Sequence, residues 1–144
     1  MANAVLVALD SSDPARAALE HACRNHPDAT ITALHVVDPA DQSSYTSMTG
    51  APTVETQATK RRQEERVESL FDDAQHIADE YGVVLSTEMR TGDPAKTVAT
   101  VAEEGNFDLI VVGSHGREGV TRILLGSVAE RIVRRAPVPV TIVR

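Results

Sequence analysis

The stretch "GSHGREGVTRILLGS", residues 113–127, holds four glycines and two serines in fifteen residues, in a chain with only eight glycines. Glycine lets the backbone approach a ligand closely and lets several N–H groups converge on one point, which makes an anion cradle. A helix opening straight after such a loop adds its positive end, where an anion is favoured. A second group able to do chemistry is "LDSSD", residues 9–13, whose Asp10 and Asp13 are the carboxylates able to serve a metal ion. His115 sits inside the glycine stretch, but a lone loop histidine is a hydrogen-bonding residue before it is a general base.

Spacing excludes three familiar phosphate devices. A P-loop needs GxxxxGK[ST], with a lysine that reaches the phosphates. Lys96 is the last lysine of the chain. The dinucleotide fingerprint GxGxxG belongs in the first strand-to-helix turn, and here that turn, "DSSDPA", has no glycine. A phosphoacceptor receiver domain wants an acidic cluster and a late lysine, and the lysine is missing again.

The elements that must position these groups are legible from hydrophobic patterning. "AVLVAL" (4–9) is an unalternating apolar run, as expected of a strand covered on both faces. Asp13-Pro14 starts a helix, Asp as N-cap and Pro at the first helical position, with Ala15, Ala18, Leu19 and Ala22 as its stripe. "ATITALHVV" (29–37) is the second strand. A Ser/Thr/Gly/Pro-rich stretch then runs from Asp38 to about Thr59 without periodicity, and its segment 39–56 is expected to be the most mobile part of the chain. From there to Tyr81 a long helix keeps Val67, Leu70, Phe71, Ala74, Ile77 and Ala78 on one face, with Gly82 to stop it. "VVLSTEMR" (83–90) is strand three. Asp93-Pro94 starts the next helix, which Gly105 stops, and "FDLIVV" is strand four. A last helix covers about 128–136, and "VPVTIVR" is strand five.

Strands alternating with helices call for an α/β fold: an open, doubly wound, five-stranded parallel sheet with helices on both faces. With the strand order 3-2-1-4-5, the ligand crevice lies where the order reverses, outside the carboxyl ends of strands one and four. Those ends are "LDSSD" and the glycine loop.

The spacing Gly113-x2-Gly116-x9-Gly126-Ser127, between strand four and the last helix, resembles the nucleotide-binding signature of the universal stress protein family. The similarity extends over essentially the whole chain, through "VLVALDSSDPARAAL", "ALHVVD", "DLIVVGSHGREG" and "LLGSVAERIVRRAPVPVTIV". The long loop after strand two is its least family-like part. The resemblance implies an adenine nucleotide, ATP with or without Mg2+, lying in the crevice. It places Asp10 near the ribose hydroxyls and Val36 and Val112 against the adenine. Gly113, Gly116 and Gly126 then offer backbone, with Ser127 and Val128 at the phosphates.

Each position also has a plain structural reading. Asp10 can form the turn in "DSSDP". Ser127 and Glu130 match a capping box, S-x-x-E, which can cap the empty helix and still yield to phosphate. Arg117 and Arg122 either screen phosphate charge or are solvated surface residues. His35 reads as a satisfied core or rim histidine, and Cys23 as a small packed residue.

Composition bounds the rest. The 144 residues make one domain, 1–144, and 42% hydrophobic content suits a soluble globular protein. No run approaches the eighteen or so apolar residues of a membrane span, and "MANAVLVALD" lacks the basic start of a signal peptide, so a cytoplasmic location is expected. One cysteine excludes an internal disulfide framework and a cysteine-built metal site. A net charge of −7, from 21 acidic against 14 basic residues of which two are lysines, disfavours nucleic-acid binding and suits a salt-rich cytoplasm.

Three functions stay open on this reading: a regulatory ATP binder of the stress response, a slow ATPase or self-phosphorylating enzyme, and an interaction module without nucleotide. Fast phosphoryl transfer is disfavoured, because no positioned base accompanies Asp10 and Asp13. Strand five, at the sheet edge, is a template for pairing. The resemblance implies the same contact, a homodimer centred on Val138, Val140 and Ile142. Other protein partners are not legible.

Overall fold

The apolar runs pair as one parallel sheet. Its strands are β1 (Ala4–Ala8), β2 (Thr30–Val37), β3 (Leu85–Thr91), β4 (Leu109–Gly113) and β5 (Val140–Val143), in the order β3-β2-β1-β4-β5. The order and the fold class are those expected. β1 lies at the centre, with Val5 level with both Ile31 on β2 and Leu109 on β4. The computed structural model describes residues 2–39, 54–115 and 125–144. Gly116, Arg117 and Arg122 lie outside the described residues, as does most of the segment 39–56 for which mobility was expected.

Strand side chains alternate between the two faces, so β1 feeds two cores at once. Val5 and Val7 join Ile31, Ala33 and Val111 under α1 (Asp13–Asn25) and α2 (Val54–Tyr81). Leu6 joins Leu34, Ile110 and Val112 under α3 (Pro94–Glu104) and α4 (Ser127–Arg135). All of these are buried, which is why the central strands read as continuous apolar runs. The stripe Ala15, Ala18, Leu19, Ala22 is buried as expected, and its alanines let α1 lie close to the sheet.

Several boundaries differ from the sequence reading. β1 ends at Ala8, β3 runs 85–91, and β5 is only Val140–Val143, so Val138 precedes it. α2 begins at Val54 rather than near Thr59, because its opening turns carry no apolar stripe to reveal them. The left-handed residue that ends α3 is Asn106, at φ 54°, rather than Gly105, at φ −88°. Asparagine tolerates that region through local hydrogen bonding of its short side chain. Gly82, at φ 67°, does stop α2.

Candidate functional site

The site is built where β1 and β4 end side by side. After β1 the chain turns through Asp10, whose Oδ1 accepts the Ser12 N–H at 2.8 Å. Ser12 in turn accepts the Ala15 N–H on its Oγ at 3.2 Å and caps α1. The cap is therefore Ser12, and Asp13 and Pro14 are the first helical residues. Serine and aspartate are both strong N-caps, and the turn made by Asp10 delivers Ser12 to the position. The turn-forming role of Asp10 is thus real, and it holds that carboxylate at the mouth of the crevice.

The two ends of the glycine loop are pinned to each other. Ser114, directly after β4, is buried, and its carbonyl accepts the Gly126 N–H. Its own N–H donates to Val143 on β5 at 2.7 Å, and its Oγ lies 3.1 Å from His115 Nδ1. Gly113 meets the first turn of α1. A Cβ built on it would stand 2.7 Å from the Pro14 carbonyl carbon and 2.8 Å from the Pro14 oxygen. A Cβ on Gly126 would stand 3.0 Å from His115 Cα and 3.2 Å from the Ser114 oxygen. Both glycines thus permit close approach of main chain to main chain, and neither has positive φ.

The start of α4 departs from expectation in a telling way. Gly126 is the N-cap, and no side chain caps the helix; Ser127 is already the first helical residue. The capping box S-x-x-E does not form, because Ser127 is one residue past the N-cap; Glu130 accepts instead from Arg134 at 2.8 Å, one turn further on. The contrast is with α1 and α3, whose first turns are satisfied by Ser12 and Asp93. Among the described residues, the first N–H groups of α4, at the positive end of the helix dipole, have no side-chain acceptor. Ser127 and Val128 are both exposed beside them.

Val36 and Val112 lie on the α3–α4 face, where both pack against the second core, Val112 buried and Val36 partly so. His35 turns to the other face, and its Nδ1 lies 2.8 Å from the Leu9 carbonyl oxygen. A carbonyl only accepts, so Nδ1 carries the proton and His35 is a satisfied rim residue. On its side, between α1 and α2, opens a cavity of about 360 Å³. Leu19, Val67, Leu70 and Ile77 floor it, and Asp10, Arg16, Arg66 and Asp73 are among its polar groups. The sheet separates this cavity, which Asp10 lines, from Val36 and Val112 on the other face. Its mixed charges select no ligand class. Cys23 is buried, and burial followed by the nearby Glu20 raises its thiol pKa, which makes it an inert packed residue.

A family model, the universal stress protein family, matches residues 1–144. This chain belongs to the universal stress protein family. It is 36% identical to a universal stress protein of Bacillus subtilis, with 100% of each chain covered. It is equally 36% identical to one of Methanocaldococcus jannaschii, covering 97% of this chain and 81% of that one. Among solved structures, universal stress protein UspA of Lactobacillus plantarum superposes with a TM-score of 0.80 at 31% identity, covering 99% of this chain and 97% of that one. A more distant family member, from Arabidopsis thaliana with AMP bound, shares the fold at a TM-score of 0.68 and 20% identity, over 98% and 90% of the two chains. Another, in complex with cAMP, shares it at 0.70 and 23%, over 99% and 97%. Among the described residues of this family member, no helix is long and apolar enough to cross a membrane.

One contact at the site has no counterpart in the motif. Arg131, on α4, donates through Nη2 to Asp93 Oδ2 at 2.7 Å, and the same oxygen accepts the Lys96 N–H at 2.9 Å. The Arg131 hydrogen bond, then that of Lys96, lowers the Asp93 carboxyl below its ordinary pKa. The available signal was the position of Arg131 four residues after Ser127, which puts both on one face of α4.

Proposed function

We propose that the protein is a regulatory adenine-nucleotide binder of the universal stress family, and that ATP is its ligand. The observation that carries this reading is the uncapped N-terminus of α4, pinned to the end of β4 by Gly126 and Ser114. Its N–H groups and the helix dipole suit a phosphate, and the absence of a side chain at Gly126 lets that end of α4 pack against His115 and Ser114. Val36 and Val112 supply apolar contact for the base, and Asp10 a carboxylate for the ribose, or for Mg2+ together with Asp13. Relatives of the same fold with AMP or cAMP bound support the nucleotide class. We propose further that two chains pair through β5.

Calorimetric titration with ATP, AMP and cAMP, with and without magnesium, tests the reading. Binding of ATP without release of phosphate is the expected result. Turnover would make the protein an enzyme, and no heat with any of the three would leave a nucleotide-free interaction module.

A further inference from the structure

We infer that Arg131 reads the number of phosphates on the bound nucleotide, and that Asp93 holds it in waiting. The inference rests on the nucleotide reading above and deepens it. Arg131 lies one turn beyond Ser127 on the same face of α4. Helical Cα–Cβ bonds tilt toward the N-terminus, so its long side chain extends back over the first turn. That turn is the one whose N–H groups have no side-chain acceptor among the described residues. Arg131 is thus a described cation within a turn of the phosphate-binding end.

Its present partner is one that it can leave. Arg131 contacts Asp93 through a single nitrogen, and the two side chains are 43% and 38% exposed. An ion pair that open to water is worth little. A terminal phosphate offers more charge and several acceptor oxygens in a geometry that the guanidinium fork can match. Asp93 does not lose its role when Arg131 departs, since its Oδ2 still accepts the Lys96 N–H and caps α3. The exchange therefore releases Arg131 without uncapping a helix. AMP, held at the near end of the site by Gly126 and Ser127, leaves Arg131 on Asp93, whereas ATP draws it off.

The experiment is a set of ATP and AMP titrations on wild type, Arg131→Gln, Arg131→Lys and Asp93→Asn, each checked for folding by thermal melting. In Arg131→Gln the ATP-to-AMP preference should fall about tenfold, the loss of one charge-assisted contact, while AMP affinity stays within twofold. Arg131→Lys should fall between the two, because it keeps the charge and loses the fork. Asp93→Asn keeps a capping side chain and should raise ATP affinity more than AMP affinity. A merely structural Arg131 would move both nucleotides together. An unchanged preference in Arg131→Gln, or equal loss of ATP and AMP, overturns the assignment while leaving the nucleotide site intact. Failure of the wild type to bind either nucleotide overturns both.

Discussion

Replacing Gly113 with alanine separates two reasons for a glycine at the end of β4. If the glycine serves only the ligand, Gly113→Ala should impair binding and leave the apo protein as stable as before. The structure gives the opposite expectation. The added methyl would stand 2.7–2.8 Å from the Pro14 carbonyl carbon, oxygen and Cβ, two of which are main-chain atoms that no rotamer change can move. Relief requires the first turn of α1 to shift outward by roughly half an ångström or more. That turn is held by the Ser12 cap, and Ala15 on it is buried against the sheet. Overpacking of this kind costs about 2–3 kcal/mol, which for a domain of this size lowers the melting temperature by about 5–10 °C. The assay is thermal unfolding of the ligand-free protein by circular dichroism. Gly126→Ala, whose new methyl meets its neighbours at 3.0–3.3 Å, should lose less. A Gly113→Ala protein that melts within a degree of wild type would refute the packing argument and return the glycine to the ligand.

Other outcomes follow from the same contacts. Gly126→Val should abolish ATP binding and leave a folded protein. Its φ of −71° suits any residue, so the effect comes from bulk that pushes α4 off His115 and Ser114, and native affinity in a folded variant would sink the phosphate assignment. Asp10→Ala should weaken ATP by about 1–3 kcal/mol as measured by calorimetry; Asp10→Asn keeps an acceptor for the Ser12 N–H, so any loss there isolates the charge, and undiminished binding by Asp10→Asn would exclude a charge role. The depressed pKa of Asp93 makes its contribution present above the unfolded carboxylate value, near pH 4, and lost as pH falls through the lower folded value. Urea titrations should thus find Asp93→Asn less stable than wild type at pH 7 by well under 1 kcal/mol, the exposed pair being screened, with the gap closing below about pH 4; a gap that persists at pH 2 would contradict this.

The sheet was legible because burial on both faces writes itself as unbroken apolar runs such as "FDLIVV", and each Asp-Pro announces a helix. What escaped was information carried by contacts between distant segments. Nothing local distinguishes Ser12 from Asp13 as a cap, since both suit the position and the Asp10 turn decides. The S-x-x-E at Ser127 is a valid local pattern that loses because the N-cap falls on Gly126, which is bonded to Ser114. Gly113 reads as a ligand glycine until Pro14 is seen against it. The Asp93–Arg131 bond joins two helices whose order in the sequence says nothing of the distance between their first turns.

The dimer is the expectation that the backbone of β5 makes most specific. Pro139 and Val143 direct their carbonyls to Ile110 and Ser114, on the β4 side. Backbone groups alternate along a strand, so those of Thr141 also face β4, while those of Val140 and Ile142 face the opposite, outer edge. The missing donor of Pro139 is therefore on the inner side and does nothing to blunt that edge. A two-fold axis beside Thr141 would set Val140 opposite Ile142 of a second copy, twice over, and each such pair can exchange two main-chain hydrogen bonds in a closed contact. Val138, just before β5, sits on the same outward parity and extends the contact at either end. The parity supplies a test that simple truncation does not. Ile142→Pro deletes an N–H from the outer edge and should give a folded monomer, whereas Thr141→Pro deletes one from the β4 ladder and should destabilise the fold itself. Sedimentation at micromolar concentration reads the first result and thermal melting the second. Wild type that sediments as a monomer, or Ile142→Pro that remains dimeric, would rule out the β5 interface.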